Sequence, residues 1–228
     1  MGTSQFVSTS LVSLGISKAK VAHVLNGVSG SAEQELSPRP LSARTNGKPV
    51  SIGIVGQVAE WKGHEVLVEA LNLVKGHGVR FVCRIFGDGD PSYAAVLKDK
   101  VADLNLTSEI EWKGFVDETT SIYSLIDLCV VPSKAFETFG MAAAEASFYG
   151  IPVIATRRGA LPEVIVDQET GYLVDVESAE QLAEKLELLI SSDGLRATMG
   201  AAARRHALEN LTTTRMVREF ETVLSSVL

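Results

Sequence analysis

VSIGIVGQVAEWKGHEVLVEALNLVKGHGVRFVCRIF, residues 50 to 86, reads as a strand, a helix and a second strand. Val50 to Val55 is an apolar run of strand length, and Phe81 to Phe86 is another. Between them, Leu67, Ala70, Leu71 and Val74 recur at helical spacing, so His64 to Lys75 is predicted to lay one face on a core. Neither apolar run alternates cleanly with polar residues. A sheet built from such strands is covered on both faces, as happens when parallel strands are joined by helical crossovers.

The same alternation continues downstream. Pro91 to Leu104 reads as a helix, Glu109 to Lys113 and Leu128 to Val131 as strands, Ala142 to Tyr149 as a helix and Pro152 to Ala155 as a strand. The expected fold is α/β, a doubly wound parallel-sheet Rossmann-like domain with C-terminal helices. Ser178 to Leu228 is helical, with breaks near Asp193-Gly194 and Asn210-Leu211-Thr212, and its last helix is expected to reach outside the domain. Ligands of such sheets bind beyond the carboxyl ends of the strands. The loops Gly56 to Gly63, Gly87 to Pro91, Phe115 to Thr120 and Ser133 to Gly140 should therefore converge on one crevice.

Upstream of residue 50 the character changes. Val7 to Val28 reads as a short amphipathic helix followed by a strand-like Val21 to Leu25 and an Asn26-Gly27 turn. Ser29 to Pro49 has little hydrophobic periodicity and is read as a linker or an ordered crossing loop, so the expected organisation is residues 1–28, a linker over 29–49 and a main domain over 50–228.

Composition narrows the classes. With 46% hydrophobic and 21% charged residues, a 228-residue chain can bury a true core without disulfide staples. A net charge of −7 argues against a nucleic-acid partner, which would need clustered Lys and Arg. No apolar run has transmembrane length. Cys83 and Cys129 sit inside apolar strands and are read as reduced structural thiols, while the four histidines lack metal-ligand spacing, so no metal or other cofactor is assigned. The start has no basic region before an apolar stretch, and Phe6 stands where a myristoylation signal needs Ser or Thr. The expected address is cytoplasmic, with association at a membrane surface kept open for a longer protein.

Chemistry is concentrated in Phe136-Glu-Thr-Phe-Gly140, which follows a strand and leads into the Ala-rich Met141-Ala-Ala-Ala-Glu145. Free first-turn N–H groups and the helix dipole favour an anionic ligand there. Glu145 follows Glu137 by eight residues, about 12 Å if both lie along one helix axis. That is too far for an acid/base couple on one bond. It suits a ligand carrying hydroxyls at two ends with a diphosphate between them. The plainer alternative is a capping Glu137 and a solvated Glu145.

At this point Glu137, Phe139-Gly140 and Glu145 resemble the E-x7-E motif of retaining glycosyltransferases of GT-B architecture, family 4, the glycosyl transferases group 1. Gly56-Gln-Val-Ala-Glu-Trp-Lys-Gly63, Phe86-Gly-Asp-Gly89, Gly114-Phe-Val-Asp117, Pro152-Val-Ile-Ala155 and Gly159-Ala-Leu-Pro-Glu163 extend the resemblance over nearly all of Val50 to Leu228. It implies the C-terminal donor-binding half of such an enzyme, with a nucleotide diphosphate sugar as partner, a UDP-sugar being favoured while guanine and adenine stay open. It implies donor contacts at Gly56, Gln57, Gly87, Phe115, Val116, Glu137, Thr138, Phe139, Gly140, Met141 and Glu145. Glu137 would face the sugar, Glu145 the ribose hydroxyls and Lys62 the diphosphate, with Glu137 and Lys62 the catalytic candidates. A solvated lysine is the plainer reading of Lys62.

The chain departs from the family at Gln57, where an arginine is usual. Gln donates hydrogen bonds but brings no charge, which puts the leaving-group electrostatics in question, with Arg84, Arg157 and Arg158 as candidates to compensate. The resemblance also implies an N-terminal acceptor domain, most of which is expected to lie outside residues 1–228. Val7 to Val28 resembles the segment that ends that domain, and the chain alone is expected to bind donor without efficient transfer. Two other readings remain. A non-catalytic nucleotide-sugar module would explain Gln57. An NAD(P)-binding domain should carry G-x-G-x-x-G after its first strand, which Gly53-Ile-Val-Gly56 does not supply.

Overall fold

The computed structural model describes residues 1–28, 48–135 and 137–226. Helix α1 (Gln5–Ser13) opens the chain. Residues from 48 onward build β1 (Val50–Val55), α2 (His64–Gly76), β2 (Phe81–Phe86), α3 (Pro91–Asp103), β3 (Ile110–Gly114), α4 (Thr119–Tyr123) and β4 (Leu128–Val131). Then follow α5 (Met141–Phe148), β5 (Val153–Thr156), α6 (Leu161–Val164), β6 (Gly171–Val174), α7 (Ala179–Ser191), α8 (Asp193–Asn210) and α9 (Thr213–Ser225).

The six strands form one parallel sheet in the order β3-β2-β1-β4-β5-β6. The chain winds outward from β1 to β3, then returns to the far side of β1 to lay down β4. The topological switch therefore falls between β1 and β4, and the crevice opens where the loops leaving these strands part. Apolar residues cover both faces, as the unalternating strands predicted. On one face Ile52, Ile54 and Val130 pack with Leu67 and Leu71 of α2 and Leu182 and Leu186 of α7. On the other, Cys129, Val131 and Val153 pack with Tyr123 of α4, Ala143 and Ala146 of α5 and Ala207 of α8. Both thiols are free and fully buried, and burial pushes each up to about 12, so neither is nucleophilic at neutral pH.

The helix ends follow from side chains close at hand. Asp90, Ser178, Ser192 and Thr212 each accept a first-turn N–H at the start of α3, α7, α8 and α9. Arg196, 1% exposed, reaches back to the carbonyls of Leu189 and Ile190 at the end of α7, satisfying acceptors that the helix itself cannot.

One expectation needs correction. Val21 to Leu25 is not a strand: His23 forms a single bridge with Gly2, because the partner segment turns into α1 three residues later. Of the linker assigned to residues 29–49, residues 29–47 lie outside the described residues, as does Phe136. Strand β6 went unrecognised, being four residues that begin with Gly171 and follow the polar turn from Asp167 to Thr170. The last helix, α9, has no buried residue in its span and packs against residues 1–28, with Arg215 donating to the carbonyls of Leu25 and Asn26 and Val28 bridging to Thr212. Glu163 of α6 ties the other end of that segment, accepting the N–H groups of Gln5 and Phe6 at 2.7 and 2.8 Å.

Candidate functional site

Two adjoining cavities, each of about 310 Å³, lie at the carboxyl end of the sheet and share Val55 and Gly56 of the first strand and its loop. One is lined by Lys62, Glu137, Thr138, Phe139, Gly140, Met141 and Glu145, together with Asn26. The other is lined by Gln57, Phe86, Gly87, Asp88, Phe115, Val116 and Ile122. Every site residue predicted from the sequence thus falls on one of these two walls.

Lys62 closes a single 3-10 turn, Glu60–Lys62, that juts from the loop after β1. Its ammonium engages the Oε1 of Glu137 and also lies 4.3 Å from the centre of the Trp61 ring. Glu137 is held tightly for a loop residue. Ser133, itself wholly buried, donates its hydroxyl to the same Oε1 at 2.9 Å, and the Glu137 carbonyl accepts the N–H of Ala160 at 2.8 Å. The turn carrying Gly159 lies directly on the Glu137 backbone, where a Cβ on Gly159 would meet the Glu137 carbonyl oxygen at 2.3 Å. Lys134 pins the loop from the other side. Its backbone N–H donates to the Trp61 carbonyl at 2.8 Å, and its ammonium meets Glu65 at 2.6 Å and Glu177 at 3.3 Å, partners that hold it above its usual range.

Helix α5 begins at Met141 with Gly140 as its cap residue and no capping side chain. Its first-turn N–H groups are therefore left to whatever occupies the cavity. Only the part from Met141 onward is helical, so the axial rise that separated Glu137 from Glu145 does not apply: Glu137 is set by the β4–α5 loop, and it neither caps the helix nor lies along its axis. Phe139 is 2% exposed and packs into the core, so it can serve the cavity only through its main chain. Glu145 accepts a hydrogen bond from the Tyr123 phenol at 2.8 Å. Burial raises its carboxyl above the usual range, the Tyr123 bond opposing.

In the second cavity, Gly87 and Asp88 come from the loop after β2 and Phe115 and Val116 from the loop after β3, with Phe115 70% exposed at the rim. Gln57 is exposed at its edge. None of the three arginines considered as its substitutes lines either cavity. Arg84 donates to Glu111 at 3.0 Å and to the Leu125 carbonyl at 2.7 Å, and Arg157 to Asp167 at 3.0 Å. Among the described residues, Lys62 is the cationic side chain that lines this pair of cavities.

Sequence reasoning missed Asn26 as a lining residue and Ser133, Tyr123 and Lys134 as residues that hold the site's side chains and loop from outside the cavities. Ser133 was within reach of it, being a polar residue just after an apolar strand. Nothing in the spacing signalled that Tyr123 reaches Glu145 or that Asn26 meets the cleft.

A family model described as Glycosyl transferases group 1 matches residues 41–206. The chain is 36% identical over 162 residues to the D-inositol 3-phosphate glycosyltransferase of Corynebacterium diphtheriae, covering 68% of this chain and 38% of that protein. Among solved structures, a glycosyltransferase from Rickettsia africae superimposes with a TM-score of 0.87 at 27% identity, covering 99% of this chain and 62% of that one. HepE of Anabaena, solved in complex with UDP and glucose, superimposes with a TM-score of 0.87 at 22% identity and the same coverage, a likeness of fold alone. The chain thus spans 38% of the length of the first relative and 62% of each solved chain. Among the described residues no helix is long and apolar enough to cross a membrane.

Proposed function

Given that this chain belongs to the glycosyl transferases group 1 family, we propose that residues 50–228 are the donor-binding half of a retaining family 4 glycosyltransferase of GT-B architecture. It would transfer a hexose from a nucleotide diphosphate sugar, UDP-glucose being the favoured type, to a glycan or lipid-linked acceptor. One observation carries this reading. A carboxylate with a lysine (Glu137, Lys62), an uncapped helix start (Gly140, Met141) and a second carboxylate (Glu145) line one cavity, and a largely apolar cavity of the same size adjoins it.

The chemistry divides along that axis. The second cavity takes the base, with Phe115 and Val116 at its edge. Glu145 accepts the ribose hydroxyls. Lys62 and the first-turn amides of α5 meet the diphosphate, and charge accumulating on it as the glycosidic bond breaks is stabilised by donors already in place. Glu137, fixed by Ser133, accepts hydroxyls of the sugar. Residues 1–28 are proposed as the end of an acceptor domain; their Asn26 reaches the donor cavity, which supports a cleft completed from that side. The acceptor contacts belong to that other domain, so this chain alone would bind donor and transfer poorly. The proposed site of action of the longer protein is the cytoplasm or its membrane surface.

A second reading, a nucleotide-sugar module without transfer activity, is favoured by the uncharged Gln57, which leaves the leaving group one cation short. Calorimetric titration with UDP, GDP, ADP and their glucose conjugates, on the wild-type chain and on Lys62→Ala and Glu145→Ala, tests the donor site. Absence of binding by all six ligands would refute it. Assay of the complete gene product then separates enzyme from sensor.

A further inference from the structure

The phenol of Tyr123 has no part in the donor site as described above, yet it makes the hydrogen bond that Glu145 receives. We propose that Tyr123 is the positioning residue for the ribose-binding carboxylate, holding Glu145 in the one orientation in which it can accept a ribose hydroxyl. The inference rests on the donor-site reading of Glu145.

Tyr123 ends the short helix α4 and is 1% exposed. Its hydroxyl has one proton and two acceptors within reach, the Glu145 Oε2 at 2.8 Å and the Ala142 carbonyl at 3.3 Å. The charge-assisted and shorter bond to the carboxylate takes the proton. Burial raises the phenol well above its usual range, so at neutral pH it stays protonated and remains a donor. One carboxylate oxygen is thereby occupied, and among the described residues the other carries no hydrogen bond, which leaves it for a ligand in the cavity that Glu145 lines.

The tyrosine is itself held from two sides. Its ring stacks on Tyr149 with centroids 4.8 Å apart and planes at 28°. The Tyr149 hydroxyl in turn lies 3.3 and 3.1 Å from the hydroxyls of Thr119 and Thr120, at the start of α4. Tyr149 follows Glu145 by four residues, so both leave α5 on the same side. The result is a closed zipper between the two helices: Thr119 and Thr120 to Tyr149, ring on ring to Tyr123, phenol to Glu145. Its first members directly follow the Phe115–Val116 loop that reads the base. Base wall and ribose carboxylate are consequently in fixed register. Without the phenol, a glutamate has three freely rotating side-chain bonds among alanines, and its carboxylate would sample orientations that point away from the ligand.

The test is a ligand-modification cycle read by calorimetry: UDP and 2′,3′-dideoxy-UDP on the wild-type chain, Tyr123→Phe and Glu145→Ala, with thermal unfolding confirming that each variant folds. The wild type should prefer UDP by about tenfold or more, the worth of a hydrogen bond to a charged group. Glu145→Ala should abolish that preference. Tyr123→Phe, which keeps the ring stack and loses only the hydroxyl, should reduce it to about threefold or less while leaving the affinity for dideoxy-UDP within about twofold. If Tyr123→Phe keeps the full preference, or weakens both ligands equally, the positioning role is wrong while the donor-site reading stands on Glu145→Ala. If the wild type binds neither ligand, the donor-site reading fails and the inference with it.

Discussion

Lys62 and Glu137 are paired across the mouth of the cleft, and Ser133 donates to the carboxylate oxygen that the lysine engages. An anionic ligand has to draw the ammonium away from a partner that is already fixed. The two halves of the pair should therefore respond to substitution in opposite directions. Lys62→Ala removes the cation and should weaken UDP by about tenfold or more, as for loss of a charge-assisted contact in a partly desolvated site. Glu137→Gln removes the competitor and should tighten UDP by about threefold, while weakening the contribution of the glucose moiety in UDP-glucose. Calorimetric titration of both ligands checks this, and loss of UDP affinity in both variants would contradict it.

Gly159 is required by close approach. At φ 59° it lies in the left-handed region, and a Cβ would meet the Glu137 carbonyl at 2.3 Å and its amide nitrogen at 2.7 Å. Gly159→Ala should cost about 2 to 3 kcal/mol of stability and displace the Glu137 loop, with loss of donor binding. Gly78→Ala is the matched control: its φ of 77° carries the same backbone strain, but no atom lies within 4 Å of the added Cβ. It should cost about 1 kcal/mol and leave donor binding intact. Urea unfolding together with titration distinguishes the two.

His64, at the start of α2 and 1% exposed, is lowered to about 4, first by burial and further by the neighbouring charge of Lys62. In the unfolded chain it titrates near 6.5, so between pH 6.5 and 4 the unfolded chain takes up a proton that the folded protein refuses. The His64 contribution to stability should fall across that window by roughly 3 kcal/mol and level off below it, where the lowered carboxyls of Glu109, Glu111 and Asp167 begin to lose theirs. His64→Leu should flatten this slope, measured as urea midpoints at pH 7.5, 5.5 and 4.5. An unchanged slope would place the acid sensitivity elsewhere.

Glu145 shows the opposite displacement. Burial raises its carboxyl, and Tyr123 moderates the rise; the fully buried Cys129 thiol lies near it, and it lines the same cavity as Lys62 and Glu137. A protonated Glu145 is a poorer acceptor, so UDP affinity should decline on acidification at a pH above the ordinary glutamate range. The difference between wild type and Glu145→Ala isolates this, because protonation of the nucleotide phosphate is common to both. Tyr123→Phe should move the decline to still higher pH, since the bond that favours the carboxylate is gone.

Apart from the five-residue α4, which the sequence reading left within a loop, the strand and helix succession from Val50 to Thr156 was legible because each element buries an apolar face, and that requirement is written locally in the period of the hydrophobic residues. The family motifs were legible for a similar reason: a loop that must approach a ligand needs small residues and a few polar ones at set intervals. Strand β6 was not, because four residues beginning with a glycine carry too short a signal and it forms by adding to an edge that β5 presents.

The amino-acid sequence by itself determined the fold class, the loops that meet at the cleft and the candidate residues Lys62, Glu137 and Glu145. Only the tertiary structure decided how those residues are engaged. The ion pair joins residues 75 positions apart, Tyr123 reaches Glu145 from another helix, Asn26 arrives from the start of the chain, and Arg84 and Arg157 are committed to partners away from the cavities. Periodicity reports which face of an element is buried, but a side chain's partner is set by the winding order of the sheet. That order brings the loops after β1 and β4 together at the switch point, and so sets Lys62 against Glu137.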